Sequence, residues 1–443
     1  MACSQPALMN SAVIRPQAMK APMLGITMFD SAVPNFCTRT RMPARGGASA
    51  TTACDIQVLP RWWRPALAGD TGHIRPVHRI NGHERKHSGK NGQQNRWFYA
   101  RIATRVLEST LGAVDSRGRS TMKALRFYAP EDVRLEDVPE PTCAPDEVKL
   151  RVRNCSTCGT DVKIFYNGHQ NLTPPRTIGH EIAGEIVEVG ADVNATYGSN
   201  WAVGDRVQVI AAVPCGECYE CRKGWMAVCQ NQTSMGYQYD GGFAEYMIVP
   251  RQVLKVDGLN RIPENVGFDE ASAAEPFACA INAQELLGIE EGDTVVVFGA
   301  GPIGCMHIRI ARGVHKCGPV YLVDVNAARL QMSADAVAPD EIINGAEVDV
   351  VQRVMELTGG RGADVVITAT AANVAQEQAI SMAARNGRIS FFGGLPKTDP
   401  TITCDSNLVH YRQLHIHGAN GSAPEHNKRH WSTSPRARCR SRI

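Results

Sequence analysis

Nowhere in the 443 residues does an uninterrupted apolar run reach the ~18 that a membrane-spanning helix needs, so an integral membrane protein is not expected. Acidic residues are scarce at both ends. Residues 1–121 carry 17 Lys+Arg against 6 Asp+Glu, and residues 428–443 carry 6 basic residues and no acidic one. The small overall charge of +3 therefore hides three unlike pieces, of net +11, −14 and +6 in chain order. The middle piece, 122–427, is an acidic body with no need of a polyanionic partner. Sustained periodicity is also missing from residues 1–121, and no recognisable nucleic-acid-binding module occurs there.

What is present divides the chain further. At roughly 100–200 residues per domain, the length suggests two or three domains. Residues 1–121 read as a basic, disordered extension; the stretch Asn81–Arg96 is almost wholly polar. A targeting segment, a nucleic-acid-binding arm and a segment without function are the readings open for it. Met122 opens a sequence of different quality and is expected to be the natural start, with the preceding residues read through from upstream. From 122 to 270, EVKLRVRN, AGEIVEVG, DRVQVIA and AEYMIVP read as short strands punctuated by Gly, Pro and Asp. From about 290 the rhythm becomes strand and helix in alternation. TVVVF (294–298), YLVD (321–324), EIIN (341–344), ADVVIT (363–368), RISFFG (388–393) and LHIHGA (414–419) are six candidate strands of a parallel sheet covered on both faces.

Fifteen cysteines in so long a chain do not make a small disulfide scaffold. Four of them, Cys215, Cys218, Cys221 and Cys229, have the spacing C-x2-C-x2-C-x7-C on a polar, loop-like stretch. Four thiolates can enclose zinc tetrahedrally, and a closed site leaves no position for substrate, so a structural zinc is expected there. Metal binding by thiols points in turn to a reducing, cytoplasmic compartment. Further donors are dispersed: Cys158-Gly-Thr160-Asp161 after one strand, Gly179-His180-Glu181 before the next, and Glu275 at the join between the halves. Cys, His and carboxylate are the ligand types of catalytic zinc. Gly299-Ala300-Gly301-Pro302-Ile303-Gly304 follows TVVVF and opens a helix, the arrangement that seats a pyrophosphate on a helix amino end. Asp324 closes the next strand, where a carboxylate accepts hydrogen bonds from ribose hydroxyls and repels a 2′-phosphate. NAD is therefore expected ahead of NADP, with the nearby Arg329 able to soften the preference.

In the order of these motifs, residues 122–427 resemble the zinc-dependent medium-chain dehydrogenase/reductase family, most closely its sorbitol (L-iditol) and threonine dehydrogenase branch. CGTD at 158–161, GHE at 179–181, the four-cysteine lobe, EPFACAINAQELLGIEEGDTVVVFGAGPIG at 275–304 and FFGGLPK at 391–397 carry the likeness. The resemblance implies an α/β protein: a GroES-like catalytic domain over 122–270 and a Rossmann doubly wound parallel-sheet domain over 271–427. It implies Cys158 and His180 as ligands of a catalytic zinc, with Glu181 also able to ligate and Glu275 approaching the metal directly or through water. Thr160 matches the hydroxyl that relays the alcohol proton, and Asp161 fixes the loop or orients His180. Cofactor contacts fall on Gly299, Gly301, Ile303, Gly304, Asp324 and Arg329. The expected reaction is hydride transfer between a secondary alcohol (polyol or amino alcohol) and NAD, with the substrate near Phe165, Tyr166 and Phe277. The partners implied are this small molecule and further copies of the chain in a homodimer or homotetramer, with no nucleic acid and no membrane.

The carboxyl end departs from the family. After HGANGSAPEHNKR an amphipathic helix is expected, yet HWSTSPRARCRSRI (430–443), the bulk of the aberrant tail 428–443, reads as basic and patternless. One allowed set of codons for HWSTSPRARCRS, read one base earlier, encodes ALEYISTGAVPV. A frameshift that removed the closing segment is therefore expected, and with it the alternative of a catalytically impaired family member that retains its zinc or cofactor sites.

Overall fold

The computed structural model describes residues 118 and 120–432. The expectations for the basic extension and for residues 433–443 lie outside the described residues.

Alternation in the sequence becomes a five-stranded antiparallel sheet. Its order is Leu259–Arg261, Arg206–Val209, Glu181–Val189, Val148–Ser156, Tyr246–Val249. Val148, Leu150, Ile182, Ile186, Val207, Val209, Met247 and Val249 turn inward into one core, each fully or almost fully buried. Full burial of such side chains is worth about 1.5–3 kcal/mol apiece, so this core is ample to hold the sheet. A three-stranded sheet, Asp132–Pro139, Thr121–Ala129 and Arg176–Thr177, turns Phe127 into a smaller core with Ile164 of helix Gly159–Asn167 and with Leu172 and Ile178. The cysteine-rich loop carries only short turns of helix, Tyr219–Arg222 and Met226–Val228.

The second half is a six-stranded, all-parallel sheet. The order is Glu341–Asn344, Val320–Asp324, Val295–Phe298, Ala363–Thr368, Ala383–Phe391, His415–Gly418. In order of appearance along the chain that is 3-2-1-4-5-6, the doubly wound dinucleotide-binding order. Its central strands are continuously apolar because both faces are covered. Val296, Phe298, Tyr321 and Val323 join one core, with Val350, Val354, Ala375 and Ala379 of the helices Val350–Leu357 and Asn373–Met382. Val295, Val297, Val320 and Leu322 join the other, with Ile308, Ala311 and Leu330 of the helices Pro302–Gly313 and Ala327–Val337. The fifth strand begins at Ala383, ahead of the expected RISFFG. It leaves the preceding helix directly, and a register shift between Ala363 and Val365 absorbs the irregular segment around Asn386, whose φ is 60°.

The helix Ala274–Leu287 joins the halves, packing on strand Glu181–Val189, on helix Pro302–Gly313 and on the last helix. That last helix, Pro424–Ser432, differs from the patternless reading of the tail, because residues 428–432 continue it. Glu425 pairs with Arg429 one turn on, Arg429 pairs with Glu285, and Lys428 pairs with Asp257. Asn427 is fully buried, with Gln208 of the antiparallel sheet donating to its Oδ1 at 3.3 Å. After the sixth parallel strand the chain thus returns to the antiparallel half.

Candidate metal and cofactor sites

Cys158 caps the helix Gly159–Asn167, and His180 ends the turn that leads into strand Glu181–Val189. One ligand atom each from Cys158, His180 and Glu181 lies within 4.8 Å of the others. Local sequence explains the placement. Gly179 has φ 94°, and a Cβ there would sit 2.7 Å from the Phe243 ring, so the turn before His180 closes only around glycine. Asp161, completely buried, fixes two donors at once. Its Oδ2 accepts the Cys158 backbone N–H at 2.9 Å, and its Oδ1 faces His180 Nδ1 at 3.3 Å. With Nδ1 turned toward a carboxylate, Nε2 is the nitrogen free to ligate, the usual outer partnership of a metal-binding histidine. Asp161 Oδ1 and His180 Nδ1 have no other hydrogen-bond partner.

The surroundings are acidic and nearly dry. Burial, reinforced by the charge of Glu275, pushes Glu181 up to about 8. Burial likewise raises Glu275 above the usual carboxylate range. Burial opposes charging of His180, but the Asp161 and Cys158 side chains and the Glu275 charge outweigh it and hold the imidazole well above its ordinary value. A half-buried thiol and buried carboxylates around an imidazole form a donor set that a divalent cation would neutralise, so the residues fit zinc. Glu275, in the first turn of its helix, is 7% exposed but is not one of the three mutually close groups. Cys279, one turn further on, donates to Glu275 Oε1 at 3.5 Å. Sequence reading passed over Cys279, although its i,i+4 spacing from Glu275 was a usable signal. It also passed over Tyr237, whose ring lies 6.3 Å from that of His180 and whose hydroxyl is pushed up to about 12, chiefly by burial. No local signal in the sequence marks Tyr237.

Thr160 is half-buried in the first turn after Cys158. Phe165 and Tyr166 stack edge to face at 4.9 Å. Phe277 is packed between two helices with Ala280, Met306 and Ile310, on the face of helix Ala274–Leu287 turned to helix Pro302–Gly313.

Cys215, Cys218, Cys221 and Cys229 also gather with their sulfurs within 4.8 Å of one another, and all four are free thiols. Backbone N–H groups of Glu217 and Cys218 donate to Cys215 Sγ at 3.5 and 3.3 Å, which pulls that thiol below its ordinary value. Bonds of this kind favour thiolate, the form that binds metal.

At the glycine loop, Gly299 has φ 103°, and a Cβ there would sit 2.6 Å from the Ala369 carbonyl oxygen. A Cβ on Gly304 would sit 1.9 Å from the Gly299 carbonyl oxygen, so helix and loop touch only through glycine. Gly301 caps helix Pro302–Gly313 and has no atom within 4 Å of its Cβ position, leaving the helix end open to a ligand. These features fit a pyrophosphate. Ile303 turns its side chain toward the core around Phe277, which leaves its backbone for the loop. Asp324 Oδ2 accepts the Ala300 N–H at 2.9 Å, its Oδ1 accepts the Asn326 N–H at 2.9 Å, and Arg329 lies 3.4 Å away. A carboxylate has about four acceptor positions, so capacity for a ribose hydroxyl is left.

A parallel sheet of dinucleotide-binding order beside an antiparallel domain with cysteine-rich groups defines a dehydrogenase of the two-domain class. Known proteins agree. The family model of the alcohol dehydrogenase GroES-like domain matches residues 144–258, and that of the zinc-binding dehydrogenase matches residues 302–433. L-threonine 3-dehydrogenase of Pyrococcus horikoshii is 36% identical over 304 residues, which are 68% of this chain and 82% of that one. A Sinorhizobium meliloti 1021 protein solved bound to NADP superposes with TM-score 0.66 at 28% identity, over 72% of this chain and 90% of that one. An alcohol dehydrogenase of E. coli CFT073 complexed with NADH superposes with TM-score 0.62 at 30% identity, over 69% and 85%. The chain belongs to the zinc-dependent medium-chain dehydrogenase family. Among the described residues, no helix is long and apolar enough to cross a membrane.

Proposed function

We propose that the chain is an NAD-dependent zinc dehydrogenase that oxidises a secondary alcohol of the polyol or amino-alcohol class, and reduces the matching ketone in reverse. The observation that carries this reading is the meeting of Cys158, His180 and Glu181 in a chain that also builds an open glycine-lined helix end. Cys158, His180 and Glu181 would hold one zinc, with Glu275 in reserve, and Cys215, Cys218, Cys221 and Cys229 a second, structural one. Gly299, Gly301, Gly304 and the Ile303 backbone would cradle the pyrophosphate, and Asp324 the adenosine ribose. Bound in these places, zinc supplies Lewis acidity that brings the pKa of a bound hydroxyl toward ~7, and the nicotinamide supplies the hydride acceptor.

The chain's own groups do the rest. Asp161 fixes the Cys158 backbone and the His180 ring, so two donors stay aimed without a search. The Thr160 hydroxyl, in the turn beside Cys158, takes the proton that leaves the substrate oxygen and passes it outward. Tyr237, burying its ring against His169 at 4.6 Å, helps exclude water. An oxygen-rich donor set supports a polyol or amino alcohol over a simple alcohol, and the threonine dehydrogenase relative supports the same class. The Asp324 carboxylate, little exposed and facing the loop, supports NAD over NADP, while its pairing with Arg329 moderates the repulsion of a 2′-phosphate.

The test is a panel of sorbitol, L-threonine, 2,3-butanediol and simple secondary alcohols, following NADH absorbance with and without a chelator. Turnover of a polyol or amino alcohol is expected, faster with NAD than with NADP, lost on chelation and restored by zinc. A zinc-loaded chain that turns over none of these classes would contradict the proposal.

A further inference from the structure

Glu275 and Cys279 share one face of helix Ala274–Leu287, and the thiol donates to Glu275 Oε1 at 3.5 Å. The carboxylate is 7% exposed, so a donor for it must come from the protein or from a metal. Cys279 is in turn held from behind. It contacts the Ser422 side chain, Ser422 Oγ accepts from Asn427 Nδ2 at 3.2 Å, and Gln208 and Asn260 continue the buried chain of bonds. Ser422 and Asn427 belong to the segment that returns from the sixth parallel strand, so the far end of the fold is wired to this one carboxylate.

We propose that Cys279 is a positioning residue: its thiol, braced by Ser422, tethers Glu275 outside the Cys158–His180–Glu181 group and so keeps a ligand position there for substrate. The inference rests on the metal reading of that group. Without the thiol, the buried carboxylate has one donor fewer, and its remaining way to be satisfied is to join the metal. Nothing covalent changes; the tether sets which oxygen occupies the position.

The experiment uses the full chain loaded with Co2+ and reads the visible ligand-field spectrum, which weakens as the coordination number rises. The four-cysteine contribution is subtracted with a Cys158→Ser variant. Cys279→Ala is expected to weaken the Cys158-dependent bands and to tighten Co2+ binding roughly 10-fold, opposite in sign to the losses of about 10–100-fold that follow when a group supporting a metal ligand is removed. Cys279→Ser, which keeps a donor, is expected to match the unsubstituted chain. Cys279→Ala combined with Glu275→Gln is expected to lose both changes. Circular dichroism establishes that each variant is folded. A Cys158-dependent spectrum and affinity unmoved by Cys279→Ala would overturn the tether alone. An equal change in Cys279→Ser would overturn it as well, since the sulfur rather than the donated bond would then matter. An unsubstituted chain with no Cys158-dependent band would overturn the metal reading, and the tether with it.

Discussion

Cys215, Cys218, Cys221 and Cys229 come from 15 consecutive residues of one loop, all donors are sulfur, and backbone N–H groups of the same loop reach the sulfurs of Cys215 and Cys229. Cys158, His180 and Glu181 come from a helix start and the head of a strand, and Glu275 follows 94 residues after Glu181, on a helix at the join. The first group can assemble around a metal with little help from the rest of the molecule, and without metal its loop has only short turns to hold it. The second exists only when two sheets, Gly179 and the buried Asp161 are already in place. A locally built sulfur cage suits a structural load. A group assembled by the whole fold, with mixed donors and acidic surroundings, suits chemistry that needs a vacancy.

Substitutions in the two groups should therefore fail in different ways. The largest effect on folding is expected from Cys218→Ser in the loop. The structural metal is lost, about 5 kcal/mol of stability goes with it, and Tm falls by roughly 10 °C or more, read by calorimetry alongside zinc content. His180→Ala should invert the pattern: turnover falls roughly 10³-fold, as loss of several kcal/mol of charge stabilisation requires, with a much smaller shift in Tm. Equal losses of Tm for the two variants would erase the distinction. Asp161→Asn is the finer probe. It keeps the size of the side chain but weakens the hold on His180, and metal affinity of the mixed group should fall about 10–100-fold with the loop cysteines unaffected, measured by competition with a chromogenic chelator.

The same contrast explains what could be read from the sequence. The cysteine spacing, the glycine loop and the continuously apolar strands are local patterns, and each strand expected from TVVVF to LHIHGA lies in the parallel sheet. The mixed group was legible only as an order of motifs, because its members are far apart and each alone is common. The tether of Glu275 by Cys279 needs the helix face and its burial together. The bracing by Ser422 and Asn427 needs the return of the chain after the last parallel strand, which no local pattern announces. The packing of Phe277 against Met306 and Ile310 was not legible for the same reason: which face of an apolar helix meets its neighbour is decided by packing. The strand start at Ala383 is not legible because pairing there is interrupted: Ala383 pairs with Ala363, and the ladder resumes only at Arg388, past Asn386 with its positive φ.

The central claim is that two metals sit in these two groups and nowhere else among the described residues. Anomalous diffraction at the zinc absorption edge, from crystals of the zinc-loaded chain, tests it directly. The account predicts two peaks, one enclosed by the sulfurs of Cys215, Cys218, Cys221 and Cys229, the other bonded to Cys158 Sγ and His180 Nε2. A map with no peak beside Cys158 and His180 would contradict it.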